Sequence, residues 1–256
     1  MNIYSVINMD IVGSREIEGR AAVQEELKQY FRQLYIENRH ILVAPITFTL
    51  GDEWQIVLRD VKESYNMFLK IKDFLLYRNI NCYCGVGIGS ISTEESEDTR
   101  EMDGKAFIYA RKALICAKET NTFYNKMLYT KDCKVIFIGD SVKISNSRSD
   151  EKISSEQQLE VAVTSNDDDF DIIETLNAII QNNEILQLNM TEKQREVISL
   201  YESLGSYGEI ERKHPRYTKS SISRKLSAAN YFLVEHNRNI IKGLLSEYCK
   251  MVKEQN

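Results

Sequence analysis

The 256-residue chain has no apolar run long enough to cross a bilayer. Met1-Asn2-Ile3-Tyr4 leads straight into an alternating strand pattern rather than a signal peptide. There is no C-x-x-C pair. Cys82, Cys84, Cys116, Cys133 and Cys249 are odd in number, and Cys82 and Cys84 share one side of a predicted strand, so a zinc site and a disulfide framework are both disfavoured. No internal repeat is found. These absences lead to the expectation of a cytosolic, cytoplasmic protein with no membrane partner. What is present is ordinary for a globular chain, 43% hydrophobic and 28% charged, with length for one large domain or two small ones. Charge is uneven: residues 191–256 hold 12 Lys+Arg and 8 Asp+Glu, whereas the whole chain has a net charge of −5. A mildly basic tail on an acidic body predicts two partners of different kinds.

The central stretch is Ile46 to Leu58. Ile46, Phe48 and Leu50 alternate with Thr47 and Thr49, then Trp54, Ile56 and Leu58 alternate with Gln55 and Val57. This predicts two half-buried strands joined at Leu50-Gly51-Asp52-Glu53. Gly-Asp is common in hairpins for local reasons alone. Two adjacent carboxylates at the tip, however, suit a divalent metal if a further carboxylate arrives from elsewhere. Asp10, at the end of the apolar strand from Ile3, is the best donor.

The remaining pattern gives the order β-α-β-β-α-β-α-β. A helix is predicted from about Arg20 to Glu37, and a second carries Tyr65, Phe68, Leu69, Ile71, Lys72 and Leu75. Strand Cys82–Ile91 has Gly85, Gly87 and Gly89 on one face, open to close approach. A helix follows Gly104, and Val135–Ile138 is the last obvious strand. Helices on one face of such a sheet make an α+β, ferredoxin-like palm over residues 1–140. Residues 141–188 read as a linker, with a short strand at Leu159–Val163 and a connecting helix over Asp171–Gln181.

Residues 189–256 form a helical tail. Thr191 and Gln194 have capping-box spacing; Gly205 breaks that helix, a short helix covers Glu209–Arg212, and Thr218 opens a third. This is helix-turn-helix order. Ile222, Leu226 and Ala229 face inward, leaving Lys219, Ser220, Ser223 and Arg224 for base edges and Arg216 and Lys225 for phosphates. The alternative is a helical cap packed on the palm. A further apolar run over Phe232–Val252 packs the module or pairs two chains as a homodimer.

Asp10, Asp52 and Glu53 are thus candidate ligands for Mg²⁺ or Mn²⁺, which take hard oxygen donors and substrate phosphates. Ile11-Val12-Gly13-Ser14-Arg15 is a candidate phosphate cradle. Together with Gly51-Asp52-Glu53-Trp54-Gln55, Gly85-Val86-Gly87-Ile88-Gly89 and Gly104–Ala113, these motifs resemble the SatD family of bacterial proteins. The resemblance runs to about residue 140. The tail resembles the DNA-binding ends of such proteins and region four of sigma factors. More distantly, the body is similar to class III nucleotidyl cyclases and GGDEF diguanylate cyclases. That similarity implies a nucleotidyl-cyclase-type palm in which Asp10 and Asp52 bind the metals of a nucleoside triphosphate. The chain departs from the cyclase pattern at Ile108, Lys112 and Phe48, where those enzymes place the transition-state Asn, the transition-state Arg and the purine-selecting Lys. Lys105 and Arg111 are the weak substitutes as catalytic groups.

Three functions follow in order. The first is a nucleotide-responsive DNA-binding regulator, with a nucleotide and a metal in the palm and duplex DNA on the tail. The second is an active nucleotidyl cyclase or nucleotidyltransferase, and the third an inactive palm serving as a dimerisation scaffold.

Overall fold

The computed structural model describes residues 2–119, 134–144 and 170–255. Five strands form one sheet: β1 (Tyr4–Ile11), β2 (Thr47–Leu50), β3 (Glu53–Leu58), β4 (Cys82–Gly89) and β5 (Val135–Ile138), in the order β2-β3-β1-β4-β5. β1 lies antiparallel between β3 and β4, and β5 adds to β4 in parallel. Helices α1 (Arg20–Asn38), α2 (Ser64–Leu76) and α3 (Lys105–Lys118) make the connections. The first four strands with α1 and α2 are the split βαβ arrangement expected of a ferredoxin-like sheet, so the α+β palm holds. Leu159–Val163 lies outside the described residues. Within the neighbouring segments, two short strands, β6 (Lys143–Ile144) and β7 (Phe170–Asp171), pair with each other.

Side-chain alternation sends each strand's residues to opposite faces. Ile7 and Met9, Trp54 and Ile56, and Cys84 and Val86 face one side, where Leu27, Phe31 and Leu34 of α1 and Tyr65, Phe68 and Ile71 of α2 complete the main core. The other face belongs to α3, which corrects the expectation that all helices share one side. The reason is the glycine row. A Cβ at Gly85 would lie 2.1 Å from the Leu114 nitrogen, and one at Gly87 2.1 Å from the Ala106 oxygen. Only bare backbone lets α3 settle so close, through its small residues Ala106, Ala110, Ala113 and Ala117. What approaches those glycines is another backbone.

Past the palm come α4 (Ile172–Leu188), α5 (Glu192–Leu204), α6 (Tyr207–Lys213), α7 (Lys219–Ala228) and α8 (Tyr231–Glu254). α4 runs seven residues beyond the predicted Gln181 and starts at Asp171, whose side chain accepts from Ile173 and Glu174 N–H groups. Asn177 substitutes for a strand beside β5: the Phe137 N–H donates to Oδ1 at 2.9 Å and Nδ2 donates to the Phe137 carbonyl at 2.8 Å. The tail has its own core of Val197, Ile210, Tyr217, Ile222 and Leu226. Thr191 and Thr218 both make capping boxes, so α5 and α7 begin where their sequences dictate.

α8 joins the two cores. Tyr231 packs in the tail, whereas Ile241, Leu245, Tyr248 and Val252 are buried in the palm core. Phe232, Leu233 and Ile240, part of the same predicted apolar run, are exposed. Lys242 pairs with Glu63 at the start of α2, and the buried Lys72 of α2 meets Glu184 of α4 at 2.6 Å. The last helix therefore belongs to both units.

Candidate functional site

β1 and β3 pair with Asp10 opposite Glu53 and Asn8 opposite Gln55. All four occupy the face that carries α3. Because β4 runs antiparallel to β1, with Cys82 opposite Ile11 and Gly89 opposite Tyr4, α3 starts beyond Gly89 and ends over Asp10. Lys118 is its last residue. Its ammonium lies 2.6 Å from the Asp10 carboxylate and 3.9 Å from that of Glu53. Both acids are mostly shielded, with side chains 18% and 15% exposed. The same face carries other polar groups. Gln55 Nε2 donates to Asn8 Oδ1 at 2.9 Å, Thr49 Oγ1 donates to the Glu53 carbonyl at 3.3 Å, and the Thr47 and Thr99 hydroxyls meet at 2.7 Å.

Asp52 does not share this face. It accepts a hydrogen bond from the Ser14 hydroxyl and sits 3.7 Å from Arg20, pinning the hairpin tip to the chain after β1. Gln24 adds a 2.9 Å hydrogen bond to the Gly51 carbonyl. Of the two hairpin acids expected to join Asp10, the one in register with it is Glu53. Adjacent residues entering a strand point to different sides, so Asp52 and Glu53 part company. Among the described residues, no three of His, Cys, Asp or Glu come together as a ready metal cage.

The run from Ile11 to Arg15 is a connector. Ile11 completes β1, the Val12 N–H donates to the Asn81 carbonyl at 2.9 Å, and the Ser14 hydroxyl is committed to Asp52. Gly13 takes a left-handed turn (φ 62°), and a Cβ there would lie 3.6 Å from a Glu16 carboxylate oxygen. An acid beside the turn disfavours a phosphate at Gly13; Arg15 remains exposed. Lys105 stands at the opposite end of α3 from Lys118 and pairs with Asp140 at 3.2 Å, so it does not approach Asp10. The same Asp140 accepts from Tyr109, and that hydrogen bond, with burial, pushes the Tyr109 hydroxyl up to about 12. Arg111 is on the exposed side of α3.

In the tail, Ile222 and Leu226 are buried while Lys219, Ser220 and Arg224 are exposed and Ser223 and Lys225 partly so. The α7 face is thus not packed on the palm. Arg216 is bound by Glu196 and lies over the Tyr217 ring, and Lys225 lies 5.4 Å from the same ring. A hollow of about 360 Å³ opens between Thr191, Lys193 and Gln194 of α5 and Ser221, Arg224 and Lys225 of α7.

Sequence reasoning missed Lys118, Lys193 and the Asn8–Gln55 pair. Asn8 and Gln55 had a usable signal: each is two strand positions from a candidate acid, hence on its face. Lys118 had none, since its arrival depends on where α3 ends. Among curated proteins, none matches the chain. The model of the SatD family matches residues 4–137, from the first residue of β1 into β5 and across both acids, Lys118 and the glycine row. With more than half its length matched, the chain belongs to the SatD family.

Proposed function

We propose that the chain is a nucleotide-responsive DNA-binding regulator, with duplex DNA on the α7 face and a nucleotide on the polar face of the sheet. The observation that carries the reading is the outward row Lys219, Ser220 and Arg224, opposite a buried Ile222 and Leu226, on the third helix of a separately cored trihelical unit. Short polar groups flanked by cations suit a major groove. The hollow beside Lys193, Arg224 and Lys225 suits a backbone phosphate.

On the palm, Asp10 and Glu53 are two adjacent hard-oxygen donors, and Lys118 between them marks a place where positive charge is stabilised. This donor set fits a Mg²⁺ or Mn²⁺ ion that takes its remaining ligands from phosphates and water. Such a metal would supply charge neutralisation for a bound polyphosphate. Lys118, released from the acids, would then be free to pair with the phosphates. α8, anchored in both cores, is the element through which the palm would bias the tail.

The test is fluorescence anisotropy of the full chain on labelled duplexes, over a salt series, with and without nucleoside triphosphate and Mg²⁺. Binding that weakens with salt and changes with nucleotide supports the reading. Absence of any salt-dependent binding overturns the DNA half, and binding indifferent to every nucleotide overturns the responsive half.

A further inference from the structure

We propose that the hollow between α1 and the edge strand β2 is a binding site for a small amphiphile with an apolar body and an anionic head. It lies on the opposite face of the sheet from Asp10 and plays no part in the function proposed above. The hollow encloses about 460 Å³, within the range of small-molecule sites. Its walls are apolar and aromatic: Phe31, Tyr35, Ile36, Ile46 and Phe48. Ile36 is 75% exposed there, and Phe48 is only partly covered although its ring meets Phe31 at 5.6 Å.

The head group is chosen by charge. Lys28 and Arg32, one turn apart on α1, also line the hollow. Both lie near a single carboxylate, Glu25, at 3.5 and 3.3 Å, so the rim retains net positive charge. Arg32 and Lys28 remain 68% and 48% exposed and keep donors for a carboxylate or phosphate. An apolar wall with a cationic rim selects an anion with an apolar tail over a neutral or cationic one.

Behind the wall stands Trp54, the chain's single tryptophan. Its ring lies 5.4 Å from Phe31 and 6.0 Å from Phe48. It is fully buried, and its indole N–H has no acceptor among the described residues. Phe31 and Phe48 line the hollow and pack on this reporter, so a bound molecule that shifts either ring is read in its emission.

The experiment titrates decanoate, decanol and decyltrimethylammonium into the full chain and follows Trp54 fluorescence. Decanoate is expected to give a saturable change, decanol a weaker one and the cation none. Lys28→Glu with Arg32→Glu should weaken decanoate by about tenfold or more, the value of one charge-assisted hydrogen bond, and leave decanol unchanged. A flat decanoate titration overturns the proposal, as does a cation that competes equally or a charge-reversed variant that binds as wild type. Emission that instead depends on protein concentration alone would make the hollow a contact between two copies and overturn it as well. None of these outcomes bears on nucleotide or DNA binding.

Discussion

Lys118 and Asp10 close the palm face, their charged groups 2.6 Å apart although one ends α3 and the other sits near the end of β1. Lys118 also offsets the repulsion between Asp10 and Glu53. Lys118→Met should therefore destabilise the chain by about 1 kcal/mol, a figure for a partly shielded pair. Millimolar Mg²⁺ should restore part of that loss in the variant and do less for wild type. Urea melts with and without Mg²⁺ measure both. If Mg²⁺ stabilises neither protein, Asp10 and Glu53 hold no metal without a nucleotide to complete its ligands.

Glycine substitutions should separate contact from propensity. Gly87→Ala places a methyl 2.1 Å from both the Ala106 oxygen and the Ala110 nitrogen. Backbone cannot yield cheaply, so a loss of about 3 kcal/mol or more is expected. Gly243→Ala, in mid-α8 with nothing within 4 Å, should gain about 0.5–1 kcal/mol from helix propensity. Thermal melts of the two variants should move in opposite directions.

On DNA, Lys225→Ala should weaken every sequence alike and reduce the salt slope by about one, as expected on losing a single phosphate contact. Arg224→Ala should also relax base preference. Arg216→Ala should do less than its charge suggests, because Glu196 already engages the guanidinium. Anisotropy at several salt concentrations ranks the three. An Arg216 effect larger than that of Arg224 would place the DNA elsewhere.

The Glu63–Lys242 pair links α2's entrance to α8. Burial pushes the Glu63 carboxyl up, but hydrogen bonds from Lys242 and Asn66 outweigh it and hold the group below its ordinary 4.5. A carboxylate with a depressed folded-state value contributes stability above its unfolded value and loses it as pH falls through the folded one. Lys242→Met should therefore be less stable than wild type at neutral pH, and the gap should close below the ordinary carboxylate range. Equal melting temperatures at pH 7 would show that the pair contributes nothing.

Much of this architecture was legible because its causes are local. Thr191 with Gln194 opens α5 where the capping box requires, and Val135–Ile138 is a strand end to end. In α2 the periodic residues Tyr65, Phe68, Leu69, Ile71, Lys72 and Leu75 are all buried, including the lysine. Its ammonium finds Glu184. The α4 boundary was missed because Asn183, Glu184 and Gln187 look like a polar exit, whereas their polar groups are buried against α2 and α8.

The sequence by itself determined the strand and helix order, the alternation that separates core face from polar face, the glycine row and the exposed cations of α7. Each is a property of a short window, set by side-chain period, capping and chirality. Only the tertiary structure decided that Glu53 rather than Asp52 faces Asp10, that Lys118 lies between them, and that α8 serves palm and tail at once. Those outcomes depend on the register of strands more than forty residues apart and on the depth to which α3 sinks onto bare backbone, and no local pattern encodes either.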